Sequence, residues 1–473
     1  MELIRVVFSS MTFLWCFLPL LLIIYYIVKD KYKNYVLLIF SLIFYAWGEP
    51  KYIILMLLSI IINYFFGILI DRHKSIKKVK FGFFITAIIV NLLLLGYFKY
   101  FNFLINNVNN LFHLSISNRN IILPIGISFY TFQIMSYLID LYRDKIKVQN
   151  NILNLALYIS FFPQLIAGPI VKYKDIEDQI NNRKVTLNDF VLGTKRFIFG
   201  LSKKVLLANS LALIADTIFN SNISDVTTLT AWIGSISYTL QIYFDFSGYS
   251  DMAIGLGKMF GFSFMENFDY PYKSKSITEF WKRWHISLST WFKEYIYIPL
   301  GGNRKGKKRT YINLWIVFLI TGIWHGASWN FIVWGLFHGF FIFIERLGLK
   351  KVLDKFHIIN HIYTLLIVNF GWVLFRVDSL KNGIRIIKKM IIPINNKSNI
   401  RLFKIITPKN MLIIFVAILF SCIIQELFKK IKEKVTIKKY LPYVELVIIA
   451  FLWIFCISFL VSNTYNPFIY FRF

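Results

Sequence analysis

Cysteine and acidic residues are both scarce in this sequence. Only three cysteines occur among 473 residues, at Cys16, Cys422 and Cys456. Each lies within an apolar run, and an odd number in such positions indicates neither a disulfide framework nor a thiolate metal site. Asp and Glu total 24 against 54 Lys and Arg, a formal net charge of +30. In a soluble protein, such an excess of positive charge would suggest binding to nucleic acid. Here the basic residues cluster between apolar runs, as in membrane helices, so we expect no nucleic-acid partner.

The sequence also has few charges and no sign of a soluble domain, long linker or internal repeat. Hydrophobic residues make up 57% and charged residues 16%, which excludes the soluble globular class. The first apolar run, 11–28, is longer and more aromatic than a signal-peptide core, and we expect it to remain as the first span. We therefore predict a single all-α integral membrane domain over residues 1–473, a helical bundle of about 11–12 spans with additional re-entrant and interfacial helices.

Apolar runs long enough to cross, or nearly cross, a ~30 Å hydrocarbon core define these spans. They cover residues 11–28, 35–47, 52–70, 81–99, 121–140, 152–170, 228–244, 311–324, 329–344, 361–377, 411–428 and 441–462. Basic residues interrupt two further stretches, 190–215 and 276–300. We interpret both as interfacial or re-entrant helices rather than lipid-exposed spans.

The positions of the basic segments predict the topology. Lysine and arginine concentrate in segments 29–33, 71–80, 143–147, 301–309 and 429–434. Cytoplasmic loops carry such excesses, and an N-terminus outside the cytoplasm places these segments inside. The same assignment puts the C-terminal tail, residues 463–473, outside.

A histidine lies within an apolar stretch past the middle of the chain. His325 is flanked by tryptophans and glycines in residues 321–330. The surrounding run, 311–344, would be ~51 Å long as one helix, so we expect a break among residues 322–330, with His325 beside a cavity. Such a histidine can be catalytic or part of a pathway, structural, or a metal ligand. No carboxylate or cysteine lies at ligand spacing, so we predict no metal. His338 fits a packed, hydrogen-bonded histidine beside a close helix contact made by Gly335 and Gly339.

Two further polar features lie in apolar surroundings. His285, in the segment 280–289, is equally compatible with a catalytic or tunnel-lining role and a structural one. Asp245 and Asp251 end an apolar span within 241–251. Buried carboxylates need hydrogen-bond donors, so Asp245 is a candidate for orienting a histidine, although a structural polar network would explain it as well.

Several motifs together resemble a known family. They are residues 124–133, 162–170, 243–251, 280–289, 291–304 and 322–339, with the closing segment 467–473. In these motifs the chain is similar to the membrane-bound O-acyltransferase superfamily, and within it to the branch of bacterial alginate and peptidoglycan O-acetyltransferase membrane subunits. The resemblance implies a funnel-shaped helical bundle with a thin central partition in a bacterial cytoplasmic membrane. It also implies that His325 is the catalytic histidine and His285 a second functional histidine.

The resemblance implies transfer of an acyl group, acetyl in this branch, across the membrane. The donor would be a cytoplasmic thioester, acetyl-CoA or an acyl carrier protein, with no bound cofactor. The acceptor would be an extracytoplasmic polysaccharide, reached directly or through a separate acetyltransferase subunit. His325 would act as general base, and His285 or Asn330 would hold the acyl oxygen or orient the base.

Two alternatives remain open at this stage. A relative in the same branch transfers D-alanine to teichoic acid, but segment 298–304 and two added C-terminal spans favour the acetylating branch. A proton-coupled transporter would carry similar buried histidines. Acylation of a lipid or protein acceptor is a further possibility that only the identity of the product distinguishes.

Overall fold

The computed structural model describes residues 7–393, 404–424, 441–462 and 465–469. All regular elements in these ranges are helical, apart from one isolated bridge between Phe268 and Trp284. The predicted all-α fold class is confirmed. The basic segment 429–434 and part of the predicted external tail lie outside the described residues.

The described helices follow one another along the chain. We number them α1 (Leu18–Ile27), α2 (Lys33–Gly48), α3 (Ile53–Arg72), α4 (Lys77–Phe112), α5 (Ile127–Tyr142), α6 (Ile152–Ser160), α7 (Phe162–Leu165), α8 (Tyr173–Asn182), α9 (Leu187–Ser202), α10 (Asn209–Phe219), α11 (Thr228–Met259), α12 (Ile277–Arg283), α13 (Ile286–Phe292), α14 (Gly306–His325), α15 (Trp329–Ile344), α16 (Lys350–Leu353), α17 (His357–Arg376), α18 (Leu380–Ile391), α19 (Pro408–Ile418) and α20 (Leu441–Ser462). Single π-helical turns connect or extend several of them, as at Lys203–Ala208 between α9 and α10.

Six helical stretches of the described residues are long and apolar enough to cross a membrane. They are Ile53–Arg72, Lys77–Phe112, Leu187–Phe219, Trp329–Leu353, His357–Arg376 and Pro442–Ser462. Two shorter apolar helices cover Phe13–Ile27 and Pro408–Ile423. Five of the six contain runs predicted from the sequence, and a multi-pass membrane protein is confirmed.

The sixth stretch, Leu187–Phe219, differs from the interfacial helix expected over residues 190–215. Two of the four basic residues that prompted that expectation, Lys203 and Lys204, are paired with carboxylates from α11. Lys203 Nζ lies 2.6 Å from Asp251 Oδ2, and Lys204 Nζ lies 2.7 Å from Asp245 Oδ1. Paired charges that face protein are tolerated at membrane depth, so this segment is long and apolar enough to span despite its lysines.

The described residues divide into two compact units, and the prediction of one domain over residues 1–473 stays a prediction. The first unit comprises the chain up to residue 197 together with 252–265. In it α2 packs on α1 and α6, and α3 packs on α4 and α5. Asn63 and Asn91 exchange side-chain hydrogen bonds of 3.2 and 2.7 Å between α3 and α4. Such a reciprocal amide pair fixes two apolar helices in register.

The second unit comprises residues 198–251 and 266 onward. Its most extensive helix contact joins α14 to α15, and α15 also packs on α17. Large aromatic side chains fill the interior, with Trp291, Trp334 and Trp372 almost completely buried. The histidines singled out in the sequence, His285, His325 and His338, all belong to this unit.

Candidate active site

The predicted break in the run 311–344 is confirmed. Helix α14 ends at His325, Gly326 is extended with φ −170° and ψ 156°, and α15 begins at Trp329. The two helices approach closely at glycines. A Cβ atom added to Gly335 would lie 2.4 Å from the Phe318 carbonyl oxygen and 3.0 Å from the Gly322 Cα. Glycine at these positions therefore lets α15 pack backbone to backbone against α14.

His325 is the last residue of α14 and lies against three aromatic rings. It is 7% exposed. Its ring centroid lies 4.9 Å from those of Trp324 and Trp334 and 5.2 Å from that of Phe375, all at steep interplanar angles. Edge-to-face contacts of this kind are the favoured geometry for aromatic rings. The imidazole is thus oriented by packing at the point where the helix ends.

His285 lies between α12 and α13, in a left-handed backbone conformation with φ 47°. It is 1% exposed. Its Nδ1 lies 3.0 Å from Asn267 Oδ1. The orientation of that amide is fixed independently, because the backbone N–H of Ser287 donates to Oδ1 at 3.2 Å, while Asn267 Nδ2 donates to Ser250 Oγ at 3.0 Å.

This network assigns the tautomer of His285. A carbonyl oxygen only accepts hydrogen bonds, so Nδ1 of His285 must carry the proton when the ring is neutral. The lone pair then lies on Nε2, which has no hydrogen-bond partner among the described residues. In this tautomer Nε2 is a hydrogen-bond acceptor and not a donor.

Burial keeps the His285 ring neutral. Desolvation disfavours the charged form and lowers the pKa of His285 from its usual value to about 3. A ring with so low a pKa resists protonation at neutral pH, so its Nε2 lone pair is suited to accepting a hydrogen bond rather than a proton.

Trp324 is a neighbour of both histidines. Its ring centroid lies 6.4 Å from that of His285 and 4.9 Å from that of His325. Phe246 of α11 contacts the other side of this arrangement, with its ring edge to face on His285 at 4.6 Å. The structure therefore brings together the two histidines that the resemblance assigned to function.

Asp245 is involved in a different set of contacts. Its Oδ1 pairs with Lys204 Nζ at 2.7 Å, and its Oδ2 accepts the backbone N–H of Ile469 at 2.8 Å. Lys204 also donates to the Pro467 carbonyl. These contacts hold residues 467–469 against α11, as the structural-network interpretation predicted. The other interpretation, that Asp245 orients a histidine, stays a prediction.

Asn330 lies in the first turn of α15 and is 5% exposed. Its Nδ2 donates to the carbonyl oxygen of Val377, the residue after α17. This bond uses one of the two amide hydrogens and ties the start of α15 to the end of α17. The predicted contact of Asn330 with an acyl oxygen would have to use the second hydrogen, and it stays a prediction.

His338 is packed as the sequence predicted. It is completely buried, and its Nε2 lies 2.5 Å from the position that a Cβ on Gly371 would occupy. The expectation that His338 is hydrogen-bonded is wrong, because neither ring nitrogen has a partner among the described residues. Close contact with Gly371 and with the rings of Trp281 and Trp334 surrounds the imidazole with apolar groups instead.

Sequence reasoning missed Asn267, the residue that sets the His285 tautomer. Asn267 lies 18 positions before His285 in an irregular connection, and no periodicity relates the two. An asparagine beside aromatic and turn residues has no distinctive spacing, so only the fold reveals its role. Within the described ranges, no group of three or more His, Cys, Asp or Glu side chains is arranged to hold a metal ion.

The described helices are those of a multi-pass membrane protein, and its second unit holds two buried histidines beside one tryptophan. Residues 39–376 match the model of the MBOAT family, the membrane-bound O-acyltransferases. The chain belongs to this family. It is accordingly an O-acyltransferase, and the membership predicted from its motifs is confirmed.

Curated relatives fall in the predicted branch. The chain is 47% identical to "probable alginate O-acetylase AlgI" of Pseudomonas putida, over 79% of this chain and 78% of that protein. It is 38% identical to the peptidoglycan O-acetyltransferase of Helicobacter pylori, over 81% and 79% of the two chains. It is 30% identical to the teichoic acid D-alanyltransferase of Streptococcus thermophilus, over 48% and 58%.

Proposed function

We propose that this protein is an O-acetyltransferase that moves an acetyl group from a thioester donor to hydroxyl groups of an extracytoplasmic polysaccharide. The observation that carries the proposal is the pairing of His325 and His285 around Trp324, inside the region that matches the family model. The relatives with the highest identities and coverage above are named as O-acetylating proteins, which favours acetyl over D-alanyl transfer. The D-alanyltransferase matches less than half of the chain.

The chemistry requires one base. The acceptor hydroxyl oxygen attacks the thioester carbonyl carbon, so that a C–O bond forms and the C–S bond breaks. His325 takes the hydroxyl proton and returns it to the departing sulfur, which leaves as a thiol. General-base catalysis of this kind contributes about 10²- to 10⁴-fold to the rate.

The tautomer of His285 bears on the role that we propose for it. A group that holds the acyl oxygen must donate a hydrogen bond, but the Nε2 of His285 carries a lone pair in the tautomer that Asn267 imposes. We assign His285 to accept a hydrogen bond from an O–H or N–H group of a substrate and so position it beside His325. Asn330, with a second amide hydrogen, remains the candidate for the acyl oxygen.

The direction of transfer follows from the basic segments. Segments 29–33, 71–80, 143–147 and 301–309 would face the cytoplasm, and both termini would lie outside. A basic inner face suits acetyl-CoA, with its phosphates, or an acidic acyl carrier protein. Delivery to the polysaccharide would be direct or through a separate extracytoplasmic acetyltransferase subunit, and the membrane is the bacterial cytoplasmic membrane.

An acetyl-labelled thioester donor shows directly which molecule receives the acetyl group. Inside-out membrane vesicles containing the protein are incubated with acetyl-labelled coenzyme A or acetylated carrier protein, and the labelled molecules are separated into polysaccharide, lipid and protein. The proposal expects alkali-labile label on polysaccharide that depends on His325. Label confined to lipid or protein, or equal polysaccharide label with His325→Ala, contradicts the proposal.

A further inference from the structure

A polar cleft opens in the first unit. It measures about 260 Å³. The side chains around it come from three places along the chain: the turn before α2 and its first residues, the start of α6, and the end of α8. Its polar lining consists of Asp30, Lys31, Lys33, Asn34, Asn151, Asn154, Asn181 and Arg183. Three cations and one carboxylate give this lining an excess of positive charge.

Hydrogen bonds hold the polar wall of the cleft in place. Arg183 Nη1 donates to Asn34 Oδ1 at 2.6 Å, and its Nε donates to the Phe260 carbonyl oxygen at 3.0 Å. Asn34 Nδ2 donates in turn to the Ile180 carbonyl oxygen at 2.9 Å and to Asn154 Oδ1 at 3.2 Å. The Nη2 of Arg183 has no hydrogen-bond partner among the described residues. A guanidinium fixed on one edge and free on the other is preorganised for an oxyanion.

The two lysines of the cleft differ in their contacts. Lys33 Nζ pairs with Asp30 at 2.8 Å, but the Asp30 side chain is 95% exposed, so solvent screens this ion pair. Lys31 is exposed and contacts the ring of its neighbour Tyr32 at 4.9 Å, with no ion pair among the described residues. Lys33 Nζ also lies 5.2 Å from the ring centroid of Tyr25, and the Lys33 side chain is only 18% exposed. Both lysines line the cleft, and Lys31 is the more accessible to an anion that enters it.

An apolar stripe continues from the cleft along α2. Tyr35, which lines the cleft, is followed at every fourth position by Ile39, Ile43 and Trp47. Their exposed fractions are 42, 55, 46 and 48%. Residues four apart share one helix face. Tyr35 and Trp47 are twelve positions apart, ~18 Å at 1.5 Å per residue, which slightly exceeds one ~15 Å leaflet of the hydrocarbon core.

We propose that the cleft binds the phosphate of an anionic phospholipid whose acyl chains lie along the stripe of Tyr35, Ile39, Ile43 and Trp47. Lys31, Lys33 and the free edge of Arg183 contact the phosphate oxygens. The stripe distinguishes a lipid from a soluble phosphate, because a soluble ligand would gain nothing from an apolar surface beside the cleft. Tyr35, at the cleft end of the stripe, is of a residue type enriched at membrane interfaces.

Short-chain lipids test the proposal on the full-length protein in detergent. Thermal unfolding is followed during titration with dioctanoyl phosphatidylglycerol, dioctanoyl phosphatidylcholine and glycerol 1-phosphate. The anionic lipid should raise the unfolding midpoint, and the other two should have much weaker effects. Each lysine near an anionic surface contributes about 1 kcal/mol, about fivefold in affinity. The double variant Lys31→Gln/Lys33→Gln should therefore bind the anionic lipid at least tenfold more weakly.

Matched controls separate this site from general charge attraction. The double variant Lys77→Gln/Lys78→Gln removes the same charge from exposed positions at the start of α4 and should bind like the unmodified protein. The midpoint of each variant without lipid reports on folding. Equal weakening in both double variants, equal effects of the two lipids, or equal stabilisation by glycerol 1-phosphate would overturn the proposal.

Discussion

At the scale of single residues, function depends on which nitrogen of His285 carries the proton. Asn267 accepts from Nδ1 and is itself fixed by the Ser287 N–H. The ring is buried and its pKa is lowered to about 3. The sequence indicated that a histidine mattered here, but it gave no means to choose the tautomer, because that choice depends on a residue 18 positions away.

Replacing Asn267 with Asp should change the pH dependence of acetyl transfer. A carboxylate beside Nδ1 favours the charged imidazolium and raises the pKa of His285 by about one to three pH units. Activity should then fall as the pH drops through this higher pKa, whereas in the unmodified protein His285 stays neutral down to about pH 3. The initial rate of acetyl transfer, measured from pH 4 to 8, reports the shift.

The exposed Asn222 provides the control for this substitution. Asn222→Asp adds the same charge at the surface of the second unit and should leave the pH profile unchanged. If Asn267→Asp and Asn222→Asp both give the profile of the unmodified protein, the assigned contact between Asn267 and His285 does not set the protonation of the ring.

At the scale of elements, the break between α14 and α15 was predictable from the sequence. The ion pairs that Lys203 and Lys204 form with aspartates of α11 were not. A run of 34 residues exceeds the thickness of the hydrocarbon core, and the small and polar cluster at 322–330 marks where it must turn. Lys203 and Lys204, in the turn that follows α9, suggested an interfacial or re-entrant helix. The aspartates that neutralise them lie about 40 to 50 residues further along the chain. No local sequence pattern predicts an ion pair between residues that are so far apart in the chain.

Substituting Gly335 with Ala should destabilise the α14–α15 pair. The new methyl group would collide with the Phe318 carbonyl oxygen and the Gly322 Cα, which are backbone atoms and cannot move aside alone. Overpacking of this kind costs about 1–3 kcal/mol of unfolding free energy. Gly96→Ala in α4 is the matched control, since nothing lies within 4 Å of its Cβ position, and alanine there should be neutral or slightly stabilising. Chemical denaturation in detergent measures the unfolding free energy of both variants. Equal stability of the two variants would contradict the close contact between α14 and α15.

Substituting Lys204 with Met should be more damaging than substituting Lys203 with Met. The side chains of Lys204 and Asp245 are 3% and 2% exposed, so removing the lysine leaves a buried carboxylate without its cation. Breaking such a pair costs about 3–5 kcal/mol. Lys203 is 23% exposed, and its loss should cost less. Denaturation in detergent compares the two variants, and a smaller loss for Lys204→Met would argue against the buried pair.

At the scale of the whole molecule, the sequence was sufficient for the class and the family. Composition and apolar runs indicate a multi-pass helical membrane protein, and motifs spread along the chain indicate O-acyl transfer. The arrangement around Trp324 required the fold, because it brings together three separate segments, those of Phe246, His285 and His325. Neither periodicity nor spacing relates such distant segments.

If His325 is the base for acyl transfer, the acetyl ester content of the cell's polysaccharide depends on its imidazole. Cells producing His325→Ala are compared with cells producing His338→Gln, which alters a buried histidine of the same helix pair whose ring nitrogens make no hydrogen bond among the described residues. Protein inserted in the membrane is quantified for both.

The account predicts a loss of at least about 100-fold in acetyl esters for His325→Ala, with His338→Gln close to the unmodified protein. Normal ester content in cells with correctly inserted His325→Ala would contradict it.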